Sequence, residues 1–347
     1  MNLLRLATPM LLLGAFALPP AEAASFDCSK AETPFEKAIC ETPDLSRADE
    51  ILAKSFATAT GGLTKASVNL MRTDQRNWLD FAQRACTDNA EPMTSDSYGE
   101  QGTSCLIDVF KTRSTALEQS RMLGGHRFLV QGYYGALPDP NEAEDPDSYW
   151  KVARHELSYP LLDEDDSLAE AFNSYMSERV EGLKKSGNPE QGEGFDNSAD
   201  TSHSVEVKEV AGTNRITLEA TTYWFGHGAA HGNYTISYLH YYVPEEREVI
   251  ASDLFTGAAW SETLVDATWE QLQLQHGEWL MVEDKSDIAE LVVDPTRWDI
   301  SNDYGLVIQF QPYEVSAYAY GAPTVSIPWD KLDAIKAETQ EAVRFGY

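Results

Sequence analysis

All four cysteines of this 347-residue chain, Cys28, Cys40, Cys86 and Cys105, fall before residue 106, so covalent stapling acts on the first third alone. What they do depends on the compartment. Met1-Asn2-Leu3-Leu4-Arg5 places one basic side chain before an apolar run from about Leu11 to Leu18, and Pro19, Pro20 and Ala21-Glu22-Ala23 follow. That order reads as a cleavable secretory signal, too short to span a bilayer. It predicts a soluble periplasmic or secreted protein, cut near Ala23, beginning near Ala24 and lacking a membrane span. An oxidising compartment turns an even cysteine count into disulfides, here with three possible pairings. Short loops favour Cys28 with Cys40 and Cys86 with Cys105, because a cysteine just before a capped helix reaches one at its end and the second pair flanks a single loop. The spacings of 12, 46 and 19 residues lack the close pairs of a zinc site.

The balance of 26 basic against 56 acidic residues gives a net charge of -30, which excludes a broad surface for nucleic acid or anionic lipid. The charge is uneven. Residues 24–122 hold 15 acidic and 11 basic side chains, and residues 123–347 hold 40 and 14. Gly124-Gly125 and the Pro-rich acidic stretch 138–147 mark a linker over 123–150. Before it, Thr33-Pro34-Phe35-Glu36 is a capping box with proline at the first helical position, and 3.6-residue apolar stripes follow, ending in Leu106, Val109, Phe110, Arg113 and Leu117. After it, period-two alternation in 204–208, 216–220, 234–242 and 304–310 predicts antiparallel strands. Helical patterns over 168–185, 260–275 and 329–345 interleave with them. The expected class is α+β: a disulfide-stapled all-helical domain over 24–122, then an α+β domain over 151–347 with an antiparallel sheet and flanking helices.

Two resemblances sharpen this. Phe26-Asp27-Cys28, Lys30-Ala31, Thr33, Glu36, Ile39-Cys40, Gln75-Arg76, Trp78-Leu79, Cys86, Cys105-Leu106 and Arg113 resemble the LprI-type lysozyme-inhibitor domain over about 26–119. That resemblance implies an exported helical envelope domain, associated in one branch with inhibition of lysozyme. Leu157, Tyr159-Pro160, Gly228-Ala229-Ala230-His231-Gly232-Asn233, Asp253-Leu254-Phe255, Gln311-Pro312-Tyr313-Glu314-Val315, Tyr318-Ala319, Gly321 and Val325-x-Ile327-Pro328 resemble the RsiV-like domain over about 150–335. Relatives of that domain include a lysozyme-sensing anti-sigma factor and a neighbour of a peptidoglycan deacetylase. Both resemblances imply lysozyme or peptidoglycan as target.

The candidate binding surface is Tyr223, Trp224, His227, His231, Asn233, Tyr234, Tyr238 and Glu314. His227 and His231 stand four apart, which on a helix would suit zinc, whereas flanking glycines suit a turn with positive φ. The rings crowding that turn suit sugar stacking or a protein interface, yet half of an alternating strand faces inward. Glu314 suits a cation or a structural turn. The acidic runs 142–147 and 163–166 read as solvated loops or as a field steering a basic partner. A nucleophile elbow, phosphate loop or dinucleotide fingerprint does not appear, so the expectation is a binding protein without catalytic residues, metal or cofactor, whose partner is a cationic lysozyme-type protein or, alternatively, peptidoglycan glycan.

Overall fold

The structure, a computed structural model, describes residues 24–185 and 197–347; the signal-like segment 1–23 lies outside the described residues. Helix α1 (Pro34–Glu41) begins at the capping box expected of it, with Thr33 accepting from the Glu36 amide and Glu36 from the Thr33 amide. Helices α2 (Pro43–Thr60), α3 (Lys65–Ala85) and α4 (Gly99–Leu117) follow. Their stripes meet around Trp78 and Phe110, whose rings cross edge to face at 5.1 Å. Disulfides join Cys28 to Cys40 and Cys86 to Cys105. This half and the sheet-rich remainder make the chain α+β.

Strands β1 (Met122–Leu123), β2 (His126–Pro138) and β3 (Val152–Leu162) come next. The 123–150 stretch, expected as a linker, therefore carries the 13-residue β2. Gly124-Gly125 and Pro138 read as breakers in sequence, but β2 runs between them, and its Gly132 is a close approach. A Cβ there would lie 1.9 Å from Tyr134 Oη, while its amide donates to Asp74 Oδ1 at 2.9 Å. Helix α5 (Ser167–Lys185) connects β3 to β4 (Ala199–Ala211), and these two strands pair parallel, a departure from the all-antiparallel expectation. Such a pair needs a crossover, and α5 is that crossover. Strands β5 (Arg215–Gly226), β6 (Asn233–Tyr242) and β7 (Arg247–Glu248) complete a seven-stranded sheet in sequential order.

Helices α6 (Ala251–Leu254), α7 (Trp260–His276) and α8 (Ala289–Val292) and a three-stranded sheet of β8 (Trp298–Asp299), β9 (Gly305–Gln309) and β10 (Thr324–Pro328) form the C-terminal unit. The helix expected over 329–345 is split into a 3-10 segment, Trp329–Ile335, and the short α9 (Gln340–Phe345). Main-chain groups of 335–337 instead bond to 254–256: Thr256 donates to Ile335 O at 2.7 Å and Ala337 to Leu254 O at 3.0 Å.

Register fixes which elements share a face. Tyr134, Glu156, Ser202, Tyr223 and Tyr234 lie opposite one another across β2 to β6. On that face Tyr134 meets Arg113 of α4 at 2.6 Å, and His240, on the same side of β6, meets Trp298 O at 2.6 Å. Helix α5 covers the opposite face, where Phe172 packs edge to face on Tyr241. The helical unit and the C-terminal unit thus sit side by side on one sheet surface. The helical core also continues into the sheet through Leu129, Val130, Ala136 and Val152.

Candidate functional site

The β5–β6 hairpin projects its tip, 227–232, beyond the pleated sheet, with Trp224 opposite Asn233 and Tyr223 opposite Tyr234. Gly228 takes φ +79°, the left-handed turn geometry expected of this glycine-rich segment. The exposed His231 ring stacks on Tyr318 at 4.2 Å, donates from Nδ1 to Gly232 O at 2.8 Å and places Nε2 3.3 Å from Tyr313 Oη. Tyr318 Oη in turn donates to Gly232 O at 2.6 Å. Tyr313 holds φ +72°, a strained state for a bulky residue, and remains 59% exposed. Backbone pairing of 280–281 with 315–316 brings Trp279 and Met281 alongside; Trp279 stacks on Tyr320 at 5.5 Å. Trp279 and Met281 are 60% and 72% exposed, so three chain segments build one apolar, ring-rich surface.

Of the sequence-nominated residues, Tyr223 and His231 are exposed and Tyr234 half-buried at this surface, while Trp224 and Asn233 are exposed one position along the hairpin, where strand alternation turns them to its other side. Three are not available there. Tyr238 points into the junction with β8, 5% exposed, with Lys208 5.1 Å above its ring. Its register puts it on the face that Tyr223 and Tyr234 share, but further along β6 that face is covered by the C-terminal unit around Trp298, which ring density alone did not reveal. Glu314 is engaged by both terminal nitrogens of Arg297 at 2.8 Å and by the Gln311 amide at 2.6 Å, so its charge is matched internally. His227 turns inward with a side chain 2% exposed.

His227 and His231 consequently have separate partners. The His227 Nδ1 lies 2.5 Å from Asp139 Oδ2 and its Nε2 3.3 Å from Asp200 Oδ1. Asp200 also accepts from Arg154, at 2.5 Å from Nη2 and 2.8 Å from the backbone amide. Burial works against the imidazolium, yet hydrogen bonds to Asp200 and Asp139 outweigh it and raise the His227 pKa. Burial likewise opposes the Asp200 charge, but His227 and Arg154 hold its carboxyl down at about 2. This cluster ties the Pro-rich loop after β2 to the hairpin base. Asp139 lay hidden in sequence because an acidic residue between two prolines has the signature of a solvated loop. Tyr318, Tyr320, Trp279 and Met281 were missed because only the fold gathers them. Among the described residues no group of three His, Cys, Asp or Glu is arranged to hold a metal ion, and no helix is long and apolar enough to cross a membrane.

Residues 27–117 match the family model described as Lysozyme inhibitor LprI, and residues 252–330 match a model described as Protein of unknown function (DUF3298). No curated protein matches the chain. A solved DUF3298-family structure from Bacteroides fragilis is 15% identical with a TM-score of 0.43, covering 65% of this chain and 98% of its own. Another from Pseudomonas aeruginosa is 13% identical with a TM-score of 0.41, covering 64% and 98%.

Proposed function

We propose that this chain is an exported, non-catalytic protein that binds lysozyme-type muramidases and inhibits them, protecting the cell wall. The observation that carries the reading is the match of 27–117 to the lysozyme-inhibitor family, over the segment that holds both disulfides. The resemblance of the C-terminal half to an RsiV-like, lysozyme-sensing domain supports the same target. So does the net charge of -30, since a strongly cationic enzyme is steered toward an acidic surface at low salt. A muramidase cleft carries its own catalytic carboxylates, so the contacting element is a neutral or basic one with acidic residues at its rim. The ring surface at the hairpin tip supplies an exposed neutral element of that kind.

Full-length protein mixed with a cationic lysozyme in dilute buffer is expected to form a complex and to slow lysis of cell-wall suspensions. No complex even at low salt would overturn the reading. A second reading, an accessory protein that binds peptidoglycan glycan, is favoured by the exposure of Trp224 and Trp279, at 43% and 60%. It expects co-sedimentation with purified sacculi that is lost in Trp224→Ala and Trp279→Ala.

A further inference from the structure

Between α4 and the uncovered centre of the large sheet runs a groove of about 380 Å³. Glu156, Ser158, Ser202, Ser204 and Glu206 contribute from the sheet, and Thr112 and Thr115 from the helix. Neither unit forms it alone. Around Glu156 two guanidiniums face three carboxylates, and the pairing is uneven. Arg113 is committed to Asp74 at 2.6 Å, Tyr134 Oη at 2.6 Å and Gln75 Oε1 at 3.0 Å. Arg154 is committed to Asp200 at 2.5 Å. Glu156, two residues along the same strand, forms no hydrogen bond or ion pair among the described residues. It is the surplus carboxylate, mostly buried, and it lines the groove. Lys111, which also lines the groove, is paired with Asp108 at 3.7 Å, so no cation among the described residues makes an ion-pair contact with Glu156, and Arg154 and Arg113 act on it only at longer range.

We propose that this groove is a binding site for a guanidinium or ammonium group, received on Glu156 and carried by a basic side chain of a protein partner. The identity of that partner as a lysozyme rests on the function proposed above; the cation site does not. A partly desolvated carboxylate with no hydrogen-bond or ion-pair partner in contact gains more from a charge-assisted hydrogen bond than a solvated one does. The serine hydroxyls and Glu206 are placed to take the remaining N–H groups of a planar fork. Burial pushes the Glu156 carboxyl up to about 7 against the opposing charges of Arg154 and Arg113, so protons compete with the ligand near neutrality. The other groups facing it are Asp200 on β4, Tyr134 on β2 and His203 on β4. Of these, Asp200 is held down at about 2, Tyr134 is pushed above the ordinary tyrosine value by burial, and His203 is pushed below the ordinary histidine value by burial.

The test uses the full chain in two calorimetric titrations, one with arginine amide and one with a cationic lysozyme. Arginine amide is expected to bind wild type about tenfold more tightly at pH 8 than at pH 6, following ionisation of Glu156. Glu156→Gln is expected to lose at least tenfold in affinity at pH 8 while melting no lower than wild type, and Thr112→Trp, which fills the groove from its wall, is expected to do the same. The exposed-loop change Glu144→Gln should leave affinity within twofold. Equal arginine-amide binding by wild type and Glu156→Gln overturns the site. Lysozyme binding that is strong in wild type and unchanged in Glu156→Gln overturns the groove as the partner's contact but leaves the proposed function standing. Arginine amide bound through Glu156, with no lysozyme complex at all, supports the site and overturns the lysozyme reading.

Discussion

Arg113 is a guanidinium sealed to 1% exposure, and three side chains from α3 and β2 make that tolerable. Its removal strands Asp74, itself 3% exposed, as a buried charge without its partner. Arg113→Ala should therefore lower unfolding free energy by about 3–5 kcal/mol in urea titration; a loss below about 1 kcal/mol would mean that water reaches the pair. His227 makes a prediction of opposite chemical sense. Its folded pKa is raised, so its ion pairs stabilise fully below the unfolded value of about 6.5 and fade as pH rises through the folded one. The melting-temperature gap between wild type and His227→Gln should thus be wider at pH 5.5 than at pH 9. A gap constant across that range would show that the ring is neutral throughout. At this scale sequence was half legible. Arg113 stood out as a charge on an apolar stripe, and flanking glycines argued correctly for a turn around His231. The partner of His227 was invisible, because Asp139 lies 88 positions away and nothing local distinguishes it from its acidic neighbours.

Elements with local causes were readable, and those with distant causes were not. The Thr33 capping box, the proline at the start of α2 and the stripe of α3 are set by residues within a turn or two of each other. Strand β2 and the broken 329–345 segment depend on groups supplied from α3 and from 254–256, so their local patterns mislead. The disulfides belong with the local class, closing separations of 12 and 19 residues. Loss of Cys86–Cys105, as the double serine variant, should lower stability by about 3 kcal/mol, because the loop between α3 and α4 regains its freedom in the unfolded chain. Urea unfolding measures this, and hydrogen exchange should locate the loosening at 86–105. Protection unchanged there would mean that packing around Tyr98, whose hydroxyl donates to Gln83 O at 2.9 Å, holds the loop unaided.

Across the whole molecule, the helical unit and the sheet share one core and several polar clamps. Asp163, from an acidic run that reads as solvated loop, accepts from the Thr64 amide at 2.8 Å and hydroxyl at 2.6 Å, and Arg127 reaches Ala59 O at 3.0 Å. Unfolding is accordingly expected as one calorimetric transition, and residues 24–122 alone should lack a cooperative melt; two resolved transitions would contradict this. The shared sheet face has a further consequence for how the molecule presents itself. Strands lie about 4.8 Å apart, so three steps from β2, on which the helices pack, to β5, the first strand of the ring-bearing hairpin, set the two roughly 14 Å from one another. The sheet is in that sense a ruler. Loop insertions can decorate either end, but the interval itself changes only in whole strands.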